Sequence, residues 1–215
     1  MNNPAHDSVR EVDIYDFDKT VFPVDSGSLF TAFAIATHPY AAVVLPYQAW
    51  GFFLCLIGKI DIGQMKKYAF SYLPLINTEK TVRRFWDLHE RFVHEWARPE
   101  NRERYSVLIS ASPDFLMSDI AQRLKFDAVI CTRHDKKGAV IGKNCHDKQK
   151  VRLFRKLFPD AEVECVYSDS FVHDVFIFSL GKKCFHIVKG RRIPFDFDKQ
   201  FPGFDFDKAK TSFRR

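Results

Sequence analysis

Asp16 and Asp18 flank Phe17 directly after Val12-Asp13-Ile14-Tyr15, a run that alternates like a strand. In an extended segment residues two apart project to the same side, so both carboxylates are expected to converge where that strand stops. Two anions so close repel unless a cation stands between them. Mg²⁺, held by a few carboxylate or carbonyl oxygens and several waters, with a substrate phosphate as co-ligand, is the ordinary solution. Thr20 adds a hydroxyl donor for that phosphate. A lone Asp-x-Asp more often marks a solvated strand-to-loop corner, because aspartate favours turns. The rest of the chain decides between the two.

Three further segments supply what phosphoryl transfer through an aspartate needs. After the apolar run Val107-Leu108-Ile109 comes Ser110-Ala111-Ser112-Pro113-Asp114, where a hydroxyl and exposed backbone N–H groups before a helix start suit phosphate oxygens. Farther on, Val151, Phe154 and Leu157 stand at helical spacing, with Lys148 and Lys150 near the helix's first turn. The helix dipole disfavours cations there, which hints at a bound anion. Lastly Val163-Glu164-Cys165-Val166-Tyr167 leads into Ser168-Asp169-Ser170-Phe171-Val172-His173-Asp174, another strand ending in acid.

In that order, the four motifs resemble the haloacid dehalogenase-like superfamily, and most closely its phosphoserine-phosphatase-like branch, over roughly residues 11–190. The specificity lies in their conjunction. The resemblance implies an α/β fold, a doubly wound parallel sheet of Rossmann-like type with an inserted helical cap, and Mg²⁺ as cofactor. It makes Asp16 the nucleophile, Asp18 the general acid/base, Ser110 and the adjoining Ala111 phosphate binders, and Asp169 a metal ligand. Lys150 fits the motif-three lysine best, with Lys148 as second choice or phosphate contact. Asp16, Asp18, Asp169 and Asp174 form the expected metal set. Two departures stand out. Lys19 occupies a place usually held by glycine, and Asp174 follows Asp169 by five residues where four is usual, the fourth being His173.

The chemistry justifies these residue types independently. A phosphate monoester is a dianion that resists an anionic nucleophile until charge is neutralised, which Mg²⁺, one lysine and hydroxyl donors would do. Asp16 would then attack phosphorus. Asp18 would protonate the leaving oxygen and later deprotonate water, which asks for a raised pKa of the kind a neighbouring anion produces. A departing halide needs no proton, so Asp18 argues against dehalogenation.

Strand-like runs at 12–15, 107–110, 127–131, 163–167 and 184–188 alternate with helical patterns, as in a parallel sheet whose ligands bind beyond the carboxyl ends of the strands. Residues 1–22 and 101–215 are expected to form this core, and 23–100 the helical cap that closes over the site and selects the substrate. Within the cap, Thr81 to Trp96 reads as an amphipathic helix with Val82, Phe85, Leu88, Phe92 and Val93 on its apolar face. Residues 41–57 are the most apolar stretch. Seventeen residues interrupted by Pro46, Gln48 and Gly51 read as buried cap helices, or alternatively as a segment that meets lipid.

The 215 residues, 46% hydrophobic, suffice for one α/β domain with an insertion. Five cysteines without a C-x-x-C pair read as reduced thiols, and the polar first seven residues are no secretory signal, so a cytoplasmic location is expected. A zinc site from Cys131, His134, Cys145 and His146 lacks the usual ligand spacing. The net charge of +6 is concentrated in residues 133–156, where nine Lys/Arg face two Asp. No nucleic-acid module accompanies them, so a phosphorylated small molecule is the expected partner, with peripheral membrane contact as an alternative. Phe195-Asp196-Phe197-Asp198-Lys199 returns as Phe204-Asp205-Phe206-Asp207-Lys208 and reads as an edge segment packing its phenylalanines, against a second metal site. Three functions fit: a Mg²⁺-dependent phosphomonoesterase on a small metabolite, a lipid-phosphate phosphatase, and a non-catalytic phosphate-binding protein.

Overall fold

The computed structural model describes residues 11–209; the polar residues 1–7 lie outside them. Strands β1 (Glu11–Tyr15), β2 (Tyr105–Pro113), β3 (Ala128–Thr132), β4 (Glu162–Ser168), β5 (Gly181–Val188) and β6 (Arg191–Phe195) form one sheet in the order β3-β2-β1-β4-β5-β6. The first five are parallel, as expected. β6 is an addition that the sequence pattern did not announce, pairing antiparallel with β5. Its two-residue turn, Lys189-Gly190, has φ of 49° and 77°, the double left-handed conformation that matches strand twist in tight hairpins.

The helices are α1 (Ser26–Thr37), α2 (Leu45–Leu56), α3 (Ile62–Ala69), α4 (Thr78–His89), α5 (Asp114–Arg123), α6 (Lys148–Leu157) and the single turns α7 (Val175–Phe178) and α8 (Phe197–Gln200). Because side chains alternate across a strand, the parallel strands feed two cores. On one face Val12, Ile14, Val107, Ile109 and Val166 meet Val151 and Phe154 of α6 and Phe176 and Phe178 of α7. On the other, Tyr15, Leu108 and Tyr167 share a core with Leu116 and Ile120 of α5, Phe85 and Trp86 of α4, and Phe30 of α1. The sheet is thus doubly wound.

Three local expectations need correction. The helix expected over 81–96 is Thr78–His89, capped by the Asn77 side chain, and short 3₁₀ turns follow it. Val82, Phe85 and Trp86 are buried while Leu88 and Phe92 are exposed. The chain leaves helical geometry because Trp96 is drawn to the β5–β6 turn, where its indole N–H donates to the Gly190 carbonyl. In α6 the buried stripe is Val151, Phe154 and then Phe158; Leu157 faces outward.

The third correction concerns residues 41–57. Pro46 opens α2 instead of breaking it, and Gly51 lies in the helix interior where Tyr68 of α3 crosses so closely that a Cβ would stand 2.2 Å from its ring. Gln48 adds a hydrogen bond to the Ala69 carbonyl. The pair α2–α3 is held by this crossing, yet most of the apolar side chains remain outside it. Tyr40, Val43, Trp50, Phe52, Phe53, Leu56 and Ile57 are all exposed. Pro39–Leu56 is continuously helical, long and apolar enough to cross a membrane by length and composition, and only 11% buried, so it is no core helix.

The carboxyl-terminal repeat behaves as expected. Phe195, Phe197, Phe201, Phe204 and Phe206 gather around Phe171, Phe176 and Phe178. Asp196 and Asp205 instead accept backbone N–H bonds from Lys199 and Lys208, serving as local caps.

Candidate active site

β1 ends at Tyr15, so Asp16 emerges at the middle of the sheet, between the ends of β2 and β4. Its Oδ1 accepts from Lys150 Nζ at 2.7 Å and its Oδ2 from the Thr20 hydroxyl at 3.0 Å. The carboxylate is thereby fixed in orientation. Lys150 lies in the first turn of α6 and, although 3% exposed, also reaches Asp174 Oδ1 at 2.7 Å. The other oxygen, Asp174 Oδ2, accepts a hydrogen bond from the Ser168 hydroxyl at 2.6 Å. The five-residue spacing in the fourth motif is absorbed by a turn, in which the Asp174 N–H bonds the Ser170 carbonyl and swings the carboxylate back toward β4.

Burial pushes Asp16 up to about 8, with Asp174 and Asp169 adding to the rise while Lys150 opposes it. Lys150 is itself raised, because its two carboxylates outweigh its burial. The two directions are compatible: one ammonium is shared by two carboxylates, and each carboxylate faces other anions as well. Asp169 is raised by burial and then by Asp174. Three carboxylates around one lysine leave an excess of buried negative charge, which is the electrostatic condition a hard divalent cation satisfies. Asp16 and Asp169 fit that role. Asp174 lies beside them, ion-paired with Lys150 through Oδ1 and accepting from Ser168 through Oδ2.

Asp18 faces a different set of partners. Its Oδ1 accepts the Ser26 N–H at 2.7 Å, where α1 starts, and its Oδ2 accepts a short hydrogen bond from Ser112. Its pKa is raised by burial first and Asp25 second, not by Asp16 as the sequence pattern suggested. Both oxygens thus accept from the protein, which fixes the orientation of the carboxylate. Thr20 also departs from expectation. Its proton goes to Asp16 while its oxygen accepts the Asp169 N–H at 2.9 Å, so it ties the ends of β1 and β4 together instead of facing substrate. Ser110 accepts the Ser112 N–H at 3.0 Å; its own proton has no acceptor among the described residues and is left for a ligand.

These groups line one cavity of about 590 Å³ that includes Asp16, Asp18, Ser110, Ala111, Lys150, Asp169 and Asp174. Lys148 is not brought there. One residue pair earlier in α6, it donates to the Asp207 carbonyl at 3.0 Å and lies over the Phe176 and Phe206 rings. Lys19 does line the cavity, with φ of 60°. The left-handed backbone explains why glycine suits that place, and the ammonium that replaces it lowers Asp169 in part.

Sequence reasoning missed Lys66, which enters the cavity from α3. Its Nζ donates to the Ala111 carbonyl at 2.5 Å and to Asn144 Oδ1 at 2.6 Å, and burial lowers it to about 8. Nothing in its local pattern separates it from the neighbouring Lys67; only its reach to Ala111 at the end of β2 and to Asn144 does. The zinc grouping of Cys131, His134, Cys145 and His146 does not assemble: burial raises the Cys131 and Cys145 thiols to about 12, and His134 turns its Nδ1 to the Thr132 carbonyl. All five cysteines are free thiols.

A doubly wound sheet with an acid after its central strand, a serine near the end of one neighbouring strand, and a buried lysine bridging that acid to another after the strand on its other side defines a hydrolase of the haloacid dehalogenase type. The chain matches the haloacid dehalogenase-like hydrolase family over residues 14–175 and belongs to it. Among solved structures it is similar to a protein of unknown function from Bordetella pertussis Tohama I, with 18% identity, a TM-score of 0.70, and coverage of 83% of this chain and 90% of that one. A phosphoserine phosphohydrolase-like protein from Francisella tularensis subsp. tularensis SCHU S4 superposes with TM-score 0.53 at 15% identity, covering 83% and 87%. A probable phosphoserine phosphatase from Vibrio cholerae gives 0.51 at 11%, covering 85% and 58%. These likenesses establish the shared fold. No curated protein shows significant sequence similarity to the chain.

Proposed function

We propose that the protein is a Mg²⁺-dependent phosphomonoesterase that works through an aspartyl-phosphate on Asp16, with a small phosphorylated metabolite as substrate. The observation that carries this reading is the buried Asp16–Lys150–Asp174 arrangement facing one cavity with Ser110, Asp18 and Asp169. Asp16 and Asp169 would hold Mg²⁺, whose positive charge would offset the substrate dianion. Lys150 and the Ser110 hydroxyl bind phosphate oxygens. Asp16 attacks phosphorus as the ester P–O bond breaks, and the proton of Asp18 passes to the departing oxygen. Water then attacks the aspartyl-phosphate, giving its proton to the Asp18 carboxylate and releasing Asp16 and inorganic phosphate. The raised pKa of Asp18 suits the acid half of this cycle.

A second reading of the substrate rests on the exposed apolar ridge of α2. A phosphomonoester carried by a lipid would be met by a helix without a charged residue between Pro39 and Gly58, rich in Trp, Tyr and Phe, while the polar pocket holds its headgroup. On either reading the five free thiols accord with a reducing, cytoplasmic setting.

The nucleophile is tested by acid quench during turnover of a ³²P-labelled substrate, followed by peptide mapping. Label on the peptide carrying Asp16 is expected, along with loss of turnover by several orders of magnitude and an unchanged circular dichroism spectrum in Asp16→Asn. Near-normal turnover in that variant would refute the reading.

A further inference from the structure

His146, Asp147 and His173 offer three donor atoms that all lie within 4.8 Å of one another. They come from two separated places in the chain, the approach to α6 and the loop after β4. His146 Nδ1 is 3.0 Å from Asp147 Oδ2, and the two imidazole rings meet edge to face with centroids 4.8 Å apart. Asp147 is buried and holds φ of 48° and ψ of −133°, a conformation that non-glycine residues adopt only when the surroundings impose it. That backbone turns its carboxylate back onto His146. Neither imidazole has a part in the phosphoryl-transfer scheme, yet both line the catalytic cavity.

We propose that His146, Asp147 and His173 form a site for a transition-metal cation of the Zn²⁺ type, separate from the Mg²⁺ position at Asp16 and Asp169. Two imidazoles and a carboxylate match the donors of three-residue zinc centres, which leave the fourth position to water or a substrate group. Mg²⁺ prefers an all-oxygen, octahedral shell and competes poorly for such a set. The start of α6 and the ammonium of Lys150 disfavour a cation here. The carboxylates of Asp147 and Asp174 offset them, and Lys148 is turned away to the Asp207 carbonyl. A cation so placed would stand in the cavity wall, where an anionic substituent of the substrate can take its open position. The inference is independent of whether Asp16 is the nucleophile.

The test is calorimetric titration of the full chain with Zn²⁺ in excess Mg²⁺, repeated on Asp16→Asn, His146→Gln, His173→Asn and the double histidine variant, each checked for fold by circular dichroism. One equivalent of Zn²⁺ is expected in the unmodified chain and in Asp16→Asn, weakened about a hundredfold or more in each single histidine variant and lost in the double one, the scale of removing a ligand or its support. Undiminished binding in the double variant, binding lost in Asp16→Asn but kept in the histidine variants, or no binding at all would overturn the proposal. If the double variant does not fold, Co²⁺ added to the unmodified chain decides. Visible bands of nitrogen and oxygen ligation support the site, and a thiolate charge-transfer band or an octahedral aquo spectrum overturns it.

Discussion

Lys150 Nζ stands 2.7 Å from Asp16 Oδ1, joining residues 134 positions apart in the chain, and both groups are buried. The contact orients the acid at the central strand end and places a permanent cation beside any phosphate that Asp16 engages. Its partner Lys148, two residues earlier, is held against the carboxyl-terminal aromatic cluster.

The two lysines should therefore separate cleanly. Lys150→Ala is expected to lower kcat by about a hundredfold or more, the scale of losing one preorganised charge-stabilising group. Lys148→Ala should leave kcat and KM within about twofold, as a surface substitution outside the site does. Steady-state kinetics on the two variants decides, and a large kcat loss in Lys148→Ala alone would invert the assignment.

Metal dependence follows from the excess of buried carboxylate. Chelation should abolish turnover and Mg²⁺ should restore it, whereas Ca²⁺, with longer bonds and looser geometry, should restore little. The readout is initial rate against free metal concentration. Full activity in excess chelator would exclude the cation from the mechanism.

Lys66 carries a pH signature. Burial lowers its pKa to about 8, below its unfolded value, so its charged form is disfavoured in the folded protein. Such a group penalises folding below about pH 8, and the penalty fades as pH rises toward the unfolded pKa near 10.5. Its neutral amine still has two protons for its two acceptors, Ala111 O and Asn144 Oδ1. The unmodified protein should thus gain stability relative to Lys66→Met between about pH 8 and about pH 10, read from urea midpoints. A difference that shrinks or stays constant over that interval would contradict the burial.

The ridge of α2 makes a separate prediction. If it meets lipid, Trp50→Ser combined with Phe52→Ser should abolish co-sedimentation with anionic phospholipid vesicles while leaving turnover of a soluble phosphate ester unchanged. Both side chains are more than half exposed, so the fold should tolerate the change. Equal sedimentation of variant and parent would remove this surface from the lipid-phosphate reading.

The sequence by itself determined the strands and the chemistry at their ends. Val12 to Tyr15, Val107 to Ile109 and Val163 to Tyr167 are runs whose pattern marks sheet interior; Asp16 and Asp169 directly follow β1 and β4, and Ser110 lies in the carboxyl-terminal part of β2, so the parallel strands carry those groups to one edge. Tertiary structure decided what depends on a partner. Leu157 and Phe158 are equally apolar neighbours, and only the packing of α6 on the sheet buries the second. The same helical phase turns Lys150 inward and Lys148 outward. Asp174 reaches its lysine because a turn shortens a five-residue interval, Lys66 enters the cavity because its ammonium finds acceptors at Ala111 and Asn144, and Thr20 gives its proton to Asp16 because Asp169, just after β4, supplies a backbone donor for its oxygen. The most apolar segment, expected inside, stays outside. Apolar composition sets the tendency to leave water, while burial requires an opposing surface, and α3 covers only the Gly51 side of α2.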